Sequence, residues 1–232
     1  FLGVIGHTGS GKSTFVQHLN GLLHPTTGTV TVNGVDISAS TEEAKKMRHK
    51  VGMVFQYPEH QLFEETIAQD IAFGPKNLGL SADEVDERVR DAMKFVGLDY
   101  NTYAERSPFH LSGGQMRRVA IAGVVAMNPD FLVLDEPSAG LDPFGREEIF
   151  EEIIRLHKEK GITVILVSHN MEDISRMASR LVVLDKGRIV LDGEPMDIFN
   201  NHRDELQAVG VDVPPVSVTM EYLCEQGLDV SN

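Results

Sequence analysis

The sequence predicts an α/β fold built on a mostly parallel sheet, and two observations lead to this prediction. First, Phe1–Ile5 is a short apolar run suited to a buried strand, and it is followed by a glycine-rich segment and then by helical spacing over Thr14–Leu23. Second, two later apolar runs, Phe131–Leu134 and Ile162–Val167, each end in polar residues and are separated by a helical stretch, Gly145–Lys160. Alternating strands and helices of this kind are typical of parallel sheets covered by helices.

Two features interrupt this alternation. Thr29–Val32 alternates as a strand does and ends at Asn33-Gly34, which predicts a small antiparallel ribbon. Ser81 and Glu84 form a capping box, after which apolar residues follow at helical spacing, namely Val85, Val89, Ala92, Met93 and Val96. We therefore expect a helical subdomain at about residues 62–127, inserted in a domain that covers residues 1–200.

The C-terminal part, residues 201–232, is expected to form an extension of that domain. Its clearest pattern follows Pro214-Pro215, where Val216, Met220 and Leu223 at helical spacing predict one short helix. The chain begins inside an apolar strand, so we expect further N-terminal strands upstream of Phe1.

Composition limits the classes of function. With 232 residues, 41% hydrophobic and 24% charged, the chain resembles an ordinary globular protein with one large core. A formal net charge of −14 argues against a surface for duplex nucleic acid, which needs a dominant basic patch. The single cysteine, Cys224, excludes an internal disulfide and a cysteine-based zinc cluster.

The glycine-rich segment after the first strand fits the phosphate-binding pattern G-x-x-x-x-G-K-[ST] without a mismatch. Its glycines allow successive backbone N–H groups to face a polyphosphate at the positive end of the following helix. Lys12 reaches the terminal phosphates, and the Ser13 hydroxyl is a ligand for Mg²⁺. The predicted ATP-binding residues are Gly6, His7, Thr8, Gly9, Ser10, Gly11, Lys12, Ser13 and Thr14.

Polar residues at the ends of the other strands supply the remaining parts that phosphoryl transfer requires. Asp135 follows an apolar strand and is predicted to bind the metal with Ser13, while Glu136, expected to point the other way along the strand, polarises the attacking water. His169 is predicted to contact the terminal phosphate, and Gln56 to reach the metal or the water. Each side chain alone also has an ordinary structural explanation, and only their combination with the phosphate loop favours catalysis.

Leu111-Ser112-Gly113-Gly114-Gln115 opens a helix expected from about Met116 to Met127, and with this segment the chain resembles the ATP-binding-cassette (ABC) ATPases. The resemblance covers six motifs in the family order: the phosphate loop, Gln56 of the glutamine loop, the signature at 111–115, the metal ligand Asp135 with catalytic Glu136, a dimer-contact loop and the switch histidine His169. The dimer-contact loop consists of Ser138, Ala139, Gly140, Leu141 and Asp142.

The resemblance implies a dimer in which two subunits enclose two ATP molecules, the signature of one facing the phosphate loop of the other. The contacts made in trans would come from Leu111, Ser112, Gly113, Gly114 and Gln115, and the cofactors would be ATP and Mg²⁺. Members of the family stack an aromatic residue on adenine upstream of the phosphate loop, so that contact is expected in sequence before Phe1.

A narrower resemblance is to the ATPases of energy-coupling factor transporters, and within them to the second of the two paired ATPase subunits. It is carried by the stretch from Phe55 to Glu65, by Ile71–Asn77, by Arg106–Phe109 and by Met116-Arg117-Arg118, with a similar tail at Val209–Pro215. It implies a peripheral subunit on the cytoplasmic face of the membrane, with a second ABC ATPase, identical or different, as partner. It also implies a membrane coupling subunit and a small substrate-binding membrane subunit, which together take up a vitamin or a transition-metal ion.

Three alternatives remain at this stage. A soluble ABC-type ATPase acting on nucleic acid would carry a long coiled coil or an extra domain between the phosphate loop and the signature. The interval between Lys12 and Leu111 is short and contains no heptad run. A translation factor of the same superfamily would carry two cassettes in one chain. A kinase with a phosphate loop leaves the segment 111–115 unexplained. We therefore expect an importer ATPase that does not bind nucleic acid.

Overall fold

The structure is a computed structural model that describes residues 1–215 and 219. Its strands are β1 (Leu2–Ile5), β2 (Thr31–Val32), β3 (Val35–Asp36), β4 (Val51–Val54), β5 (Phe131–Asp135), β6 (Thr163–Val167), β7 (Arg180–Asp185) and β8 (Arg188–Gly193). Its α-helices are α1 (Lys12–Leu19), α2 (Glu42–Arg48), α3 (Ile67–Asn77), α4 (Ala82–Phe95), α5 (Tyr100–Tyr103), α6 (Gly113–Ala126), α7 (Pro143–Lys160), α8 (Met171–Met177), α9 (Pro195–Asn201) and α10 (Arg203–Ala208). The predicted helix around Val216, Met220 and Leu223 lies outside the described residues.

The chain divides into two compact units. We call Phe1–Val16 with the described residues from Ile165 onward the terminal unit, and Gln17–Val164 the central unit. In the terminal unit the strand order is β6, β1, β7, β8. Strand β1 is parallel to both neighbours, and β8 pairs antiparallel with β7. The middle strand is buried, since Val4 and Ile5 are inaccessible to solvent, as expected for a strand covered on both faces.

The central unit contains one parallel pair and one antiparallel pair of strands. Strands β4 and β5 run parallel, with Val51 opposite Phe131 and Val54 opposite Leu134. Strands β2 and β3 form the predicted ribbon, in which Asn33 and Gly34 have φ values of 50° and 82°, as a two-residue hairpin turn requires. The mostly parallel sheet and the small antiparallel ribbon expected from the sequence are thus confirmed.

Helices α3, α4 and α6 pack against one another in the central unit. The capping box at the start of α4 is present, because the Ser81 hydroxyl accepts from the Glu84 amide and the Glu84 carboxylate accepts from the Ser81 amide. The apolar face predicted for α4 is buried. Helix α6 begins at Gly113, three residues before the expected Met116, because Ser112 caps it.

Helix α1 is shorter than the sequence predicted. It ends at Leu19, since Gly21 adopts a φ of 75° just beyond it. Leu22 and Leu23, within the range predicted to be helical, follow the end of this helix and are exposed. Within the described residues, no helix combines the length and the apolar character needed to cross a membrane.

Candidate functional site

The phosphate loop lies in the terminal unit, between the buried strand β1 and helix α1. Gly6, Gly9 and Gly11 have φ values of 154°, 83° and 105°. Only glycine adopts such values without strain, so the pattern of glycines is required by the backbone itself. Ser13 and Thr14 stand in the first turn of α1 and are exposed, so the Ser13 hydroxyl is accessible to a metal ion.

The turn between β7 and β8 supports the loop from one side. The Gly187 amide donates to the Ser10 carbonyl over 2.8 Å. A Cβ added at Gly11 would lie 3.3 Å from the Gly187 Cα, and one added at Gly6 would lie 2.3 Å from the Leu184 carbonyl oxygen. The shape of the loop therefore depends on residues 184–187, a contact that sequence reasoning missed although it predicted the hairpin.

The side chains of Lys12 and His7 hold the start of the loop. The Lys12 ammonium, almost fully buried, donates to the carbonyls of Gly6 (2.7 Å) and His7 (3.0 Å). The His7 ring lies between two oxygens, with Nδ1 2.7 Å from the Thr8 carbonyl and Nε2 2.9 Å from Asp185 Oδ1. These contacts fix the start of the loop against the end of β7.

His169 lies in the terminal unit at the same edge of the sheet as the phosphate loop. Strands β6 and β1 are neighbours and parallel, with Val167 opposite Val4, so both chains leave the sheet at the same end. The buried Ser168 hydroxyl accepts from the Asn170 amide over 3.0 Å, which fixes the turn after β6. The His169 side chain itself is exposed.

The carboxylates lie in the central unit at the end of β5. Asp135 is the last residue of that strand, and Glu136 adopts a φ of 52°. The expectation that Glu136 continues the strand alternation is therefore wrong, because its backbone is left-handed and outside the strand. Both side chains are half-buried.

Gln56 lies at the same edge of the central unit as these carboxylates. Strand β4 is parallel to β5, and Val54, its last residue, is opposite Leu134. The chain then continues through Phe55 to Gln56, which is exposed. An exposed amide thus leaves the sheet beside the two carboxylates, as the carboxyl ends of parallel strands dictate.

The segment Leu111–Gln115 forms the N-terminal end of α6. Ser112 is its N-cap in a complete capping box, since the Ser112 hydroxyl accepts from the Gln115 amide and Gln115 Oε1 accepts from the Ser112 amide. Ser112, Gly113 and Gly114 are exposed, and Cβ atoms added at the two glycines would meet no other atom of the described chain within 4 Å. An open helix N-terminus of this kind suits a phosphate group.

The dimer-contact loop, residues 138–142, connects β5 to α7. Asp142 caps α7, because its Oδ1 accepts from the Gly145 amide over 2.7 Å. Inside the loop, the Leu141 amide donates to the Ser138 carbonyl, and Gly140 has a φ of 75°. The loop is therefore ordered by its own hydrogen bonds while Gly140 and Asp142 remain exposed.

Each unit thus contains some of the predicted site residues. The terminal unit holds the phosphate loop and His169, and the central unit holds Gln56, both carboxylates, the segment 111–115 and the dimer-contact loop. Sequence reasoning assigned no role to Arg117, whose side chain is buried beside these elements. The sequence did contain an indication of this burial, because helical spacing places Arg117 on the same face of α6 as the apolar Ile121 and Val125, which are buried. A buried arginine requires hydrogen-bond partners.

Comparison with known proteins gives a consistent result. The family model described as ABC transporter matches residues 1–139. The energy-coupling factor transporter ATP-binding protein EcfA2 of Clostridium tetani is 57% identical over 231 residues, covering 100% of this chain and 80% of the relative. The protein of the same name from Bacillus cereus is 58% identical over 233 residues, covering 100% of this chain and 78% of the relative.

Solved structures agree with these relatives. The structure of cbiO1 from Clostridium perfringens, described as part of the ABC transporter complex cbiONQ, has a TM-score of 0.78 at 37% identity and covers 95% of this chain and 86% of its own. The dimeric ATP-binding cassette MJ0796 bound to ADP and Pi has a TM-score of 0.72 at 30% identity and covers 84% of this chain and 85% of its own. This chain therefore belongs to the ABC transporter family and, within it, to the ATP-binding subunits of energy-coupling factor transporters, which couple ATP hydrolysis to transport.

Proposed function

We propose that this chain hydrolyses ATP at a site completed by a second ABC ATPase subunit and so drives an energy-coupling factor importer. The observation that carries the proposal is the complete, ordered set of family motifs on a chain that is 57% identical over its whole length to such a subunit. Two similar proteins support assembly with membrane subunits and with a second ATPase, since cbiO1 is part of the cbiONQ complex and the cassette MJ0796 is dimeric.

The proposed roles of the site residues follow from their chemistry. Residues 6–14 bind the phosphates of ATP through backbone amides and Lys12. Ser13, Gln56 and Asp135 are the proposed ligands of Mg²⁺, because a hydroxyl, an amide oxygen and a carboxylate oxygen suit this ion, which would offset the charge of the phosphate oxygens. Glu136 accepts a proton from the attacking water, and His169 contacts the terminal phosphate.

The signature completes the site in trans. Residues 111–115 of one subunit bind the terminal phosphate held by its partner, through the Ser112 hydroxyl and the amides at the start of α6. The exposed N-terminus of this 14-residue helix supports that role. Residues 138–142 contact the partner subunit, so that ATP binding closes the dimer and hydrolysis reopens it.

A cluster of exposed aromatic side chains supports a docking role for the stretch after Gln56. Tyr57, Phe63 and Phe73 are 45%, 57% and 46% exposed, and the rings of Phe63 and Phe73 meet edge to face at 4.9 Å. Leu62, in the same stretch, is 6% exposed and belongs to the core. We propose that the aromatic cluster, defined as these three aromatic residues, receives the membrane coupling subunit on the cytoplasmic face of the membrane.

The domain limits are part of the same proposal. Residues 1–200 form the ATPase domain, residues of about 62–127 form its helical subdomain, and residues 201–232 form the extension. The mutual packing of α3, α4 and α6 supports the helical subdomain.

The substrate is a vitamin or a transition-metal ion recognised by a separate membrane subunit. An ATPase acting on nucleic acid is not favoured, since the relatives are transporter subunits and the net charge is −14.

The proposal is tested by purifying the tagged full-length protein from its native membranes in mild detergent and identifying the copurifying chains by mass spectrometry. We expect a second cassette and two integral membrane proteins. A matched pair of variants sharpens the result: Phe63→Asp should lose the membrane proteins and keep the second cassette, whereas Met196→Asp, at an equally exposed apolar residue of α9, should keep both. Copurification with nucleic-acid-processing proteins and no membrane protein would overturn the proposal.

A further inference from the structure

Arg117 is, among the described residues, the most deeply buried charged side chain near the hydrolytic residues of the central unit, with 2% of its surface exposed. Its Nε and Nη2 donate to the two carboxylate oxygens of Glu59, each over 3.2 Å. Its Nη1 donates to the Pro137 carbonyl over 2.9 Å. A buried guanidinium is costly unless its donors are used, and here three nitrogens have acceptors on two different segments.

The backbone acceptor is the carbonyl of Pro137, the residue that follows Glu136. Glu136 has a φ of 52°, which is uncommon for a residue other than glycine, and it precedes a proline, which restricts its backbone further. Such a conformation persists only where the surrounding structure holds it. The bond from Arg117 Nη1 holds the Pro137 carbonyl, one residue after Glu136, and so limits movement of the backbone that carries the Glu136 side chain.

The carboxylate acceptor belongs to the glutamine loop. Glu59 lies on the 3₁₀ turn Pro58–Gln61, three residues after Gln56 and between Tyr57 and Phe63 of the aromatic cluster. Arg117 itself lies on α6, two residues after Gln115. One side chain therefore joins the proposed docking stretch, the helix that opens with the signature and the backbone at the hydrolytic carboxylate, all within the central unit.

We propose that Arg117 is a positioning residue for hydrolysis, which holds the Glu136 backbone through Pro137 and transmits displacement of the glutamine loop to it through Glu59. This inference rests on the proposed role of Glu136 as the group that activates water. Because the acceptors of Arg117 are Glu59 and the Pro137 carbonyl rather than residues of the phosphate loop, its loss should slow turnover and leave the binding of ATP intact.

The test measures ATP hydrolysis by the full-length subunit in its purified complex. Arg117→Lys keeps a positive charge for Glu59 but cannot also reproduce the fork that reaches the Pro137 carbonyl. We expect kcat to fall roughly tenfold while the KM for ATP changes by less than about twofold, the pattern of a lost transition-state interaction. Arg155→Lys is the control, since Arg155 also bridges from a helix to a backbone carbonyl, that of Phe95, away from the site.

A double variant distinguishes positioning from general stabilisation. If Arg117 acts through Glu136, adding Arg117→Lys to Glu136→Gln should slow single-turnover hydrolysis no further, whereas a merely structural role would add its effect. Melting temperatures are recorded for every variant. A kcat of Arg117→Lys equal to the wild type, an equal fall in Arg155→Lys or an additive double variant would each overturn the inference. Absence of hydrolysis by the wild-type complex would instead overturn the proposed function.

Discussion

Replacing Glu152 by glutamine should stabilise the protein, and the gain should grow with pH. Glu152 lies on α7 with 13% of its side chain exposed, and its Oε2 is buried without a hydrogen bond among the described residues. Its other oxygen is 3.7 Å from the Arg118 Nε. Burial raises the pKa of Glu152 from 4.5 to about 7, against the opposing effects of Arg118 and Arg155 and with a further increase from Glu148.

The direction in which stability changes with pH follows from proton binding. Since the folded state holds the Glu152 proton more tightly than the unfolded chain, stability falls as pH rises from about 4.5 to about 7, and above that range the full cost is present. A pKa raised from 4.5 to about 7 corresponds to a cost on the order of 3 kcal/mol as an upper bound, at about 1.36 kcal/mol for each unit of pKa. Solvent screening around this edge of α7 reduces the expected cost to about 1–2 kcal/mol.

Urea unfolding of the wild type and Glu152→Gln at pH 5, 6, 7 and 8 measures this cost. We expect the free energies of unfolding to be similar at pH 5 and the variant to be about 1–2 kcal/mol more stable at pH 8, because glutamine cannot ionise. Glu151→Gln, at the exposed neighbouring position, is the control and should show no such trend. A difference that is independent of pH, or a variant less stable than the wild type at pH 8, would refute the reasoning.

Four further outcomes are expected. Glu136→Gln should retain ATP binding and dimer closure but lose most turnover, which equilibrium binding and single-turnover hydrolysis together reveal. Lys12→Ala should weaken ATP binding by roughly tenfold or more in a calorimetric titration, and unchanged affinity would contradict its role. Gly52→Ala would place a Cβ 2.6 Å from a methyl of Val124 and should cost about 1–3 kcal/mol in urea unfolding. Phe63→Asp should uncouple ATP hydrolysis from substrate uptake in vesicles, so full uptake would remove the aromatic cluster as a docking surface.

Features determined by nearby residues could be predicted from the sequence. The three glycines of the phosphate loop all adopt the backbone values for which the motif needs glycine. The capping box of Ser81 and Glu84 starts a helix where it was expected, because its two hydrogen bonds join residues three positions apart. The Asn33-Gly34 turn forms the ribbon for the same reason.

Features determined by distant residues could not be predicted. The support of the phosphate loop by the β7–β8 turn joins His7 to Asp185, which are 178 positions apart. Leu62 and Phe63 are adjacent and equally apolar, yet one is buried and the other exposed, because the chain there follows a 3₁₀ turn rather than a regular element. No periodicity distinguishes two neighbouring residues in such a segment.

Glu136 has a backbone conformation that is unusual for its residue type, and Arg117 is a charged residue in a buried position. A hydrogen bond connects these two unusual features. A glutamate in a left-handed conformation before a proline is disfavoured twice, and a buried arginine is disfavoured without acceptors. The Pro137 carbonyl accepts from Arg117 and bears on both, since it satisfies one donor of Arg117 and holds the backbone one residue after Glu136. A pair kept only for stability could be replaced by apolar packing and a relaxed backbone. Because proteins break local rules chiefly where function requires it, their coincidence beside the hydrolytic carboxylate favours a role in turnover over a role in folding.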